Sequence, residues 1–183
     1  MTSIETLRAV SHPSRRRIIE YLGIHGASQV GVLAEVLHEQ VGSISHHLRM
    51  LERAEVVERA PELATDGRTS WWRMRRITIS WSVDDFADRV ADRVQAKAAE
   101  RLNFEYQAGK LAAWKRESDR WDPVWRAASF SSDTAALATA DELAELQVLL
   151  AETVRVWRDG IDRQDGRERE PVFVFSHGFP TRP

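Results

Sequence analysis

The chain has 183 residues, 43% of them hydrophobic and 30% charged, with a net charge of −2 and no cysteine. That length gives one domain of usual size or two small ones. The missing cysteine excludes disulfides, thiolate metal ligands and cysteine nucleophiles together. No apolar run approaches the roughly 18 residues of a membrane span. The opening "MTSIETLRAV" lacks the basic and apolar regions of a signal peptide, so a cytoplasmic location is expected. Residues 1–76 carry 11 Arg and 9 acidic residues, and residues 77–183 carry 15 basic and 19 acidic residues. A mildly basic first part beside an acidic second part points to a polyanion partner for the first part only. Of the 26 cations 23 are Arg, so nearly all can make planar, bidentate contacts.

The first 54 residues read as short helices. "SIETLRAV" has Ser3 as its cap. "HPSRRRIIEYLGIHG" places Pro13 near a helix start and Gly23 or Gly26 at its end, with Ile18, Ile19 and Leu22 as the buried face. "SQVGVLAEVLHEQ" suggests a Ser28 cap and an apolar face of Val30, Leu33, Ala34 and Leu37. "VGSISHHLRMLERA" follows after a break of about three residues. The period then changes. "VVERA" and "TSWWRMR" are strand-like and flank "ELATDGR", where Asp66-Gly67 marks a turn. Two strands with a basic-tipped loop, directly after a helix-turn-helix, make a wing.

From about Val83 the pattern predicts a helix of some 30 residues. Its stripe is Phe86, Val90, Val94, Ala98, Leu102 and Tyr106, widened by Ala87, Ala91 and Leu111. "ESDRWDPVWRAASFSSD" interrupts it. "TADELAELQVLLAETVRVWRDG" is a second strong helix, with a Thr139–Glu142 capping box, a stop at Gly160, and a seam of Leu143, Leu146, Leu150, Val154 and Trp157. "PVFVFSHGFP" reads as a short strand.

The fourth predicted helix carries two adjacent histidines. At about 100° per residue, Val41, Ile44, Leu48 and Leu51 share one arc, which should be buried. Gly42, Ser45, His46, Arg49 and Arg53 lie on or near the opposite side. His46 should project outward, and His47 should donate a hydrogen bond from a half-buried edge. Diverging rings argue against a shared metal. An exposed face of small residues, His and Arg suits a DNA major groove, where small side chains admit the backbone and Arg and His donate to bases or phosphates.

"LRAVSHPSRRRIIEYL", "LAEVL", "SISHHLRMLERAEVVER" and "DGRTSWWRM", in that order and spacing, resemble the winged helix-turn-helix of ArsR-family transcriptional regulators over about residues 4–80. The resemblance implies a recognition helix from Gln40 to Arg53. It implies base or phosphate contacts from Gln40, Ser43, Ser45, His46 and Arg49, and a wing-tip contact from Arg68. Three positions depart from that pattern. Gln40 stands where Ser usually caps, Gly42 weakens the first turn, and Glu55 replaces a Gly that serves a left-handed position.

Many members of that family sense metals. Here no Cys is present and no His lies between His47 and His177, so no metal site or cofactor is expected. No G-x-S-x-G, phosphate-cradling glycine loop or H-E-x-x-H motif points to an enzyme. The second half has two readings. Its amphipathic helices can pair with a second copy, setting two recognition helices about 34 Å apart on operator DNA. Trp114, Trp121, Trp125 and Trp157 are either plain core or the lining of a pocket for a small apolar ligand. The expected fold class is mainly α: a winged helix-turn-helix domain over 1–80, then a long-helix dimerisation and sensor region over 81–183. The expected function is a homodimeric DNA-binding repressor. The alternative is a protein–protein interaction module with a vestigial or nonspecific winged helix.

Overall fold

Helix α1 (Ile4–Ser11) starts where the Ser3 hydroxyl accepts a hydrogen bond from the Thr6 N–H at 3.0 Å. The computed structural model describes residues 2–64, 69–75 and 81–182. One residue later Pro13 opens α2 (Pro13–His25), its missing N–H costing nothing in the first turn. The helix ends at Gly26, whose φ of +82° is a conformation that L side chains rarely adopt. A two-residue strand β1 (Ser28–Gln29) precedes α3 (Val30–Leu37). Ser28 is therefore not the expected helix cap. It is buried and pairs antiparallel with Trp72, which holds the backbone extended through Gln29 and leaves Gln29 at the cap position. His38 to Gln40 form the three-residue break before α4 (Val41–Arg53), with His38 left-handed at φ +53°.

Strands β2 (Val57–Arg59) and β3 (Trp71–Met74) pair antiparallel, with Val57 opposite Met74 and Arg59 opposite Trp72. The sheet order is β1-β3-β2. This is the predicted wing hairpin, with one extra strand that sequence reading missed. The Asp66-Gly67 turn and Arg68 lie outside the described residues.

The core between helices and sheet joins Ile18, Leu22, Leu33, Ile44, Leu48, Leu51, Val56, Val57 and Trp72. Each large apolar side chain so buried contributes roughly 1.5–3 kcal/mol. Helix α4 closes on this core through a Schellman motif. The Val56 N–H donates to the Leu51 carbonyl at 2.9 Å and the Glu55 N–H to the Glu52 carbonyl at 3.0 Å. Glu55 takes the left-handed position, φ +58°, that glycine usually fills.

The long helix starts later than the periodicity predicts. The Asp85 carboxylate accepts from the Ser82 N–H at 2.7 Å and closes a 3-10 turn over Val83–Phe86. Helix α5 (Val90–Glu117) then runs for 28 residues. Its expected stripe is only partly its packed face: Phe86 is buried and Leu102 and Tyr106 are half-buried. Val90 and Val94 are exposed, whereas Ala96 and Ala99 are buried against Leu7 and Phe86. Alanine lets the helix approach closely, and polar contacts pin it. Arg8 donates to Gln95, Arg16 donates to Asn103, and the Tyr106 hydroxyl donates to Glu20. The Arg16 guanidinium lies 4.0 Å from the Tyr106 ring centroid. Burial, then the bond to Glu20, raises the Tyr106 pKa.

The chain forms two compact units, 1–109 and 110–183. In the second, α6 (Pro123–Ala128) is capped by Asp122, and α7 (Ala140–Asp159) by the predicted Thr139–Glu142 box. The tail over 171–182 has no regular structure, so the expected strand does not form.

Glu55→Gly is expected to raise stability by about 0.5–1 kcal/mol, because it relieves the left-handed strain and loses only the exposed 3.2 Å pair with Arg75. A urea midpoint that fails to rise would show that the pair outweighs the strain.

Candidate nucleic-acid interface

Helix α4 is oriented by its buried side. Ile44, Leu48 and Leu51 are fully buried, which fixes the opposite face outward. Val41, expected in the same arc, is exposed, because the first turn projects beyond the core. On the outward face His46, Arg49 and Arg53 are exposed and Ser45 half-exposed. Among the described residues neither Arg49 nor Arg53 forms an ion pair. Gln40 caps the helix by backbone only, with no side-chain bond.

One acidic residue that sequence reading passed over organises the start of α4. The Glu39 carboxylate accepts from the Ser43 hydroxyl at 3.2 Å and from Arg17 at 3.5 Å, and lies 4.0 Å from His47 Nε2. Its side chain is only 17% exposed. Ser43 therefore spends its hydroxyl proton inside the protein, unlike Ser45. Arg17 also donates to the Leu37 carbonyl at 2.8 Å, tying α2 to the end of α3. The available signal was Glu39 four residues before Ser43, an i,i+4 pair across a helix start.

His47 does not make the hydrogen bond expected of it. At 4.0 Å its Nε2 is beyond hydrogen-bond reach of Glu39. Its ring instead packs on His12, with centroids 4.8 Å apart, and on His46 at 5.6 Å. The Nδ1 atoms of His12 and His47 are buried with no partner among the described residues. Burial holds the pKa of each histidine below its ordinary 6.5, and Arg15 pushes both the same way, while Glu39 opposes. The Arg15 guanidinium is held nearby, donating to the carbonyls of Ala9 and Arg8.

The arginines of the sheet are mostly neutralised. Arg59 pairs with Glu52, Arg73 with Glu58 and Glu62, and Arg75 with Glu55 and Glu58. In the second unit the Trp114 and Trp121 rings lie 6.0 Å apart, Trp125 is half-exposed and Trp157 is exposed. Among the described residues no group of three His, Cys, Asp or Glu is arranged to hold a metal ion.

Residues 10–60 match the family model described as "Helix-turn-helix domain". The match spans α2, α3, α4 and β2, and β3 pairs with β2 beyond it, so the chain carries a winged helix-turn-helix. No curated protein matches the chain at a significant level. Solved structures give distant likenesses. A mutant of Lactococcus lactis ZitR in apo form has 13% identity and a TM-score of 0.37, over 80% of this chain and 83% of that one. The transcriptional regulator Tm0710 from Thermotoga maritima has 16% identity and a TM-score of 0.34, over 81% and 78%. The MarR family transcription regulator SP03579 has 18% identity and a TM-score of 0.36, over 86% and 80%. At such scores the fold assignment rests on the chain's own elements. Among the described residues no helix is long and apolar enough to cross a membrane.

The two half-buried histidines make stability depend on pH. With folded pKa values below 6.5, the unfolded chain takes up protons first as pH falls. Their contribution is complete above about pH 6.5 and is lost as pH drops through that value toward the folded pKa values. The urea midpoint should therefore fall between pH 7.5 and 5.5, and less steeply in a His12→Gln, His47→Gln variant. Equal slopes in both proteins would remove the histidines as the cause.

Proposed function

We propose that the chain is a homodimeric, cytoplasmic transcription regulator of the ArsR type that represses by occluding a promoter. Residues 1–80 bind operator DNA and residues 81–183 pair the copies and set the separation of the two recognition helices. One observation carries the reading. Helix α4 lies inside the matched helix-turn-helix domain and presents Ser45, His46 and Arg49 opposite a fully buried apolar face. Arg49 suits the acceptors of a guanine edge, Ser45 and His46 suit bases or phosphates, and Gln40 and Ser43 sit at the helix start where phosphates approach. Arg68, which falls between β2 and β3 in the sequence, would contact backbone or minor groove. An inducer would act by binding the copy separation that does not fit DNA. A small apolar ligand against Trp114, Trp121, Trp125 and Trp157 is the candidate chemistry.

The ion-paired arginines of the sheet favour a second reading, an interaction module whose winged helix binds DNA weakly and without sequence preference. Two substitutions separate the readings. Arg49→Ala should cost roughly 1–3 kcal/mol and relax sequence preference. Arg68→Ala should weaken binding to all sequences alike and lower the salt slope by about 1. If a titration with duplex DNA registers neither change, the second reading stands.

A further inference from the structure

Helix α7 buries nothing. None of its 20 residues is buried, although Leu146, Leu149, Leu150, Val154, Val156 and Trp157 are large, apolar and 41% to 63% exposed. A helix of this length is marginal in water without a packed face.

The pattern on α7 identifies the occupant. Its seam, Leu143, Leu146, Leu150, Val154 and Trp157, has spacings of three, four, four and three, the same in either direction. At about 100° per residue these five positions fall within an arc of about 80° centred on Leu150. A seam that reads alike both ways is complementary to itself when two helices run antiparallel. Leu150 then meets Leu150, and Leu146 lies level with Val154. The tail meets Leu143 at Gly178, and the other four positions remain exposed. Charge sets the same direction. Asp141, Glu142 and Glu145 crowd the first turns, and Arg155 and Arg158 lie in the last. A parallel pair would stack acids on acids, and an antiparallel pair brings the acidic end level with the arginines. Arg155 is held by Glu152 through two bonds and by Asp159, whereas Arg158 pairs only with the adjacent Asp159 in an exposed contact of little net strength, so Arg158 redirects at the smaller cost.

We propose that α7 pairs antiparallel with α7 of a second copy about a two-fold axis at Leu150. This rests on the homodimer reading above and names its surface, which is isologous, the same patch on both copies.

The absence of cysteine makes the test direct. The full chain would be prepared with Leu150→Cys, Leu146→Cys or Val154→Cys, and oxidised under mild conditions. Leu150→Cys is expected to crosslink with itself. Leu146→Cys should do so weakly alone but readily when mixed with Val154→Cys. Leu146→Glu with Leu150→Glu should shift the light-scattering mass from dimer to monomer and lower the helicity contributed by α7, with the helix-turn-helix core unchanged. A wild-type dimer that neither crosslinks through position 150 nor responds to the paired Glu substitutions would overturn the α7 surface and leave dimerisation standing. Equal self-crosslinking at 146 and 150 would overturn the antiparallel arrangement. A wild-type monomer would overturn both this surface and the homodimer reading.

Discussion

Burial of Ile44, Leu48 and Leu51 is the constraint on which the rest depends. Three side chains on one arc of a 13-residue helix lock its rotation about its own axis. Once that rotation is set, His46 and Arg49 can only face outward. The same apolar cluster takes in Val56, Val57 and Trp72, so the wing strands are fixed to the helix that precedes them. The Schellman closure at Leu51 and Val56 joins the two without slack, and the left-handed Glu55 is the strained residue at that junction.

Electrostatics then limits how such a surface can bind. Glu39 places a carboxylate at the start of α4, where a phosphate would gain from the helix dipole, but Arg17 and Ser43 hold it inward. The sheet arginines are already engaged with Glu52, Glu55, Glu58 and Glu62. Among the described residues of the sheet and the strand ends, Arg59, Arg73 and Arg75 are thus less available for nonspecific attraction. If α4 binds DNA as proposed, such a surface would rely on directed contacts more than on bulk charge, and its binding would survive added salt better than that of a strongly basic domain.

Much of the first unit was legible because its signals are local. Ser3, Pro13 and Gly26 mark helix ends through their own backbone chemistry, and the arc of Ile44, Leu48 and Leu51 follows from helical geometry. The Thr139–Glu142 box behaves likewise. What sequence reading missed depends on distant partners. Ser28 becomes a strand residue only because Trp72 arrives beside it. The face of α5 that packs is chosen by Arg8, Arg16 and Glu20, which hold Gln95, Asn103 and Tyr106 and bring in the alanines rather than the valines. Of the candidate site, the outward set of Ser45, His46 and Arg49 could be read from periodicity. The roles of Glu39, Arg17 and His12 could not, since they meet only when α2, α3 and α4 are assembled. The tail strand failed for a related reason, since a strand needs a neighbour that no sequence window contains.

The most direct test of the central claim is fluorescence anisotropy of the full chain with duplex DNA from its own upstream region, beside a scrambled duplex, at two salt concentrations. Sequence-specific binding through α4 would give tighter binding to the native duplex, with a preference that persists at the higher salt. Equal binding to both duplexes that disappears at the higher salt would contradict it.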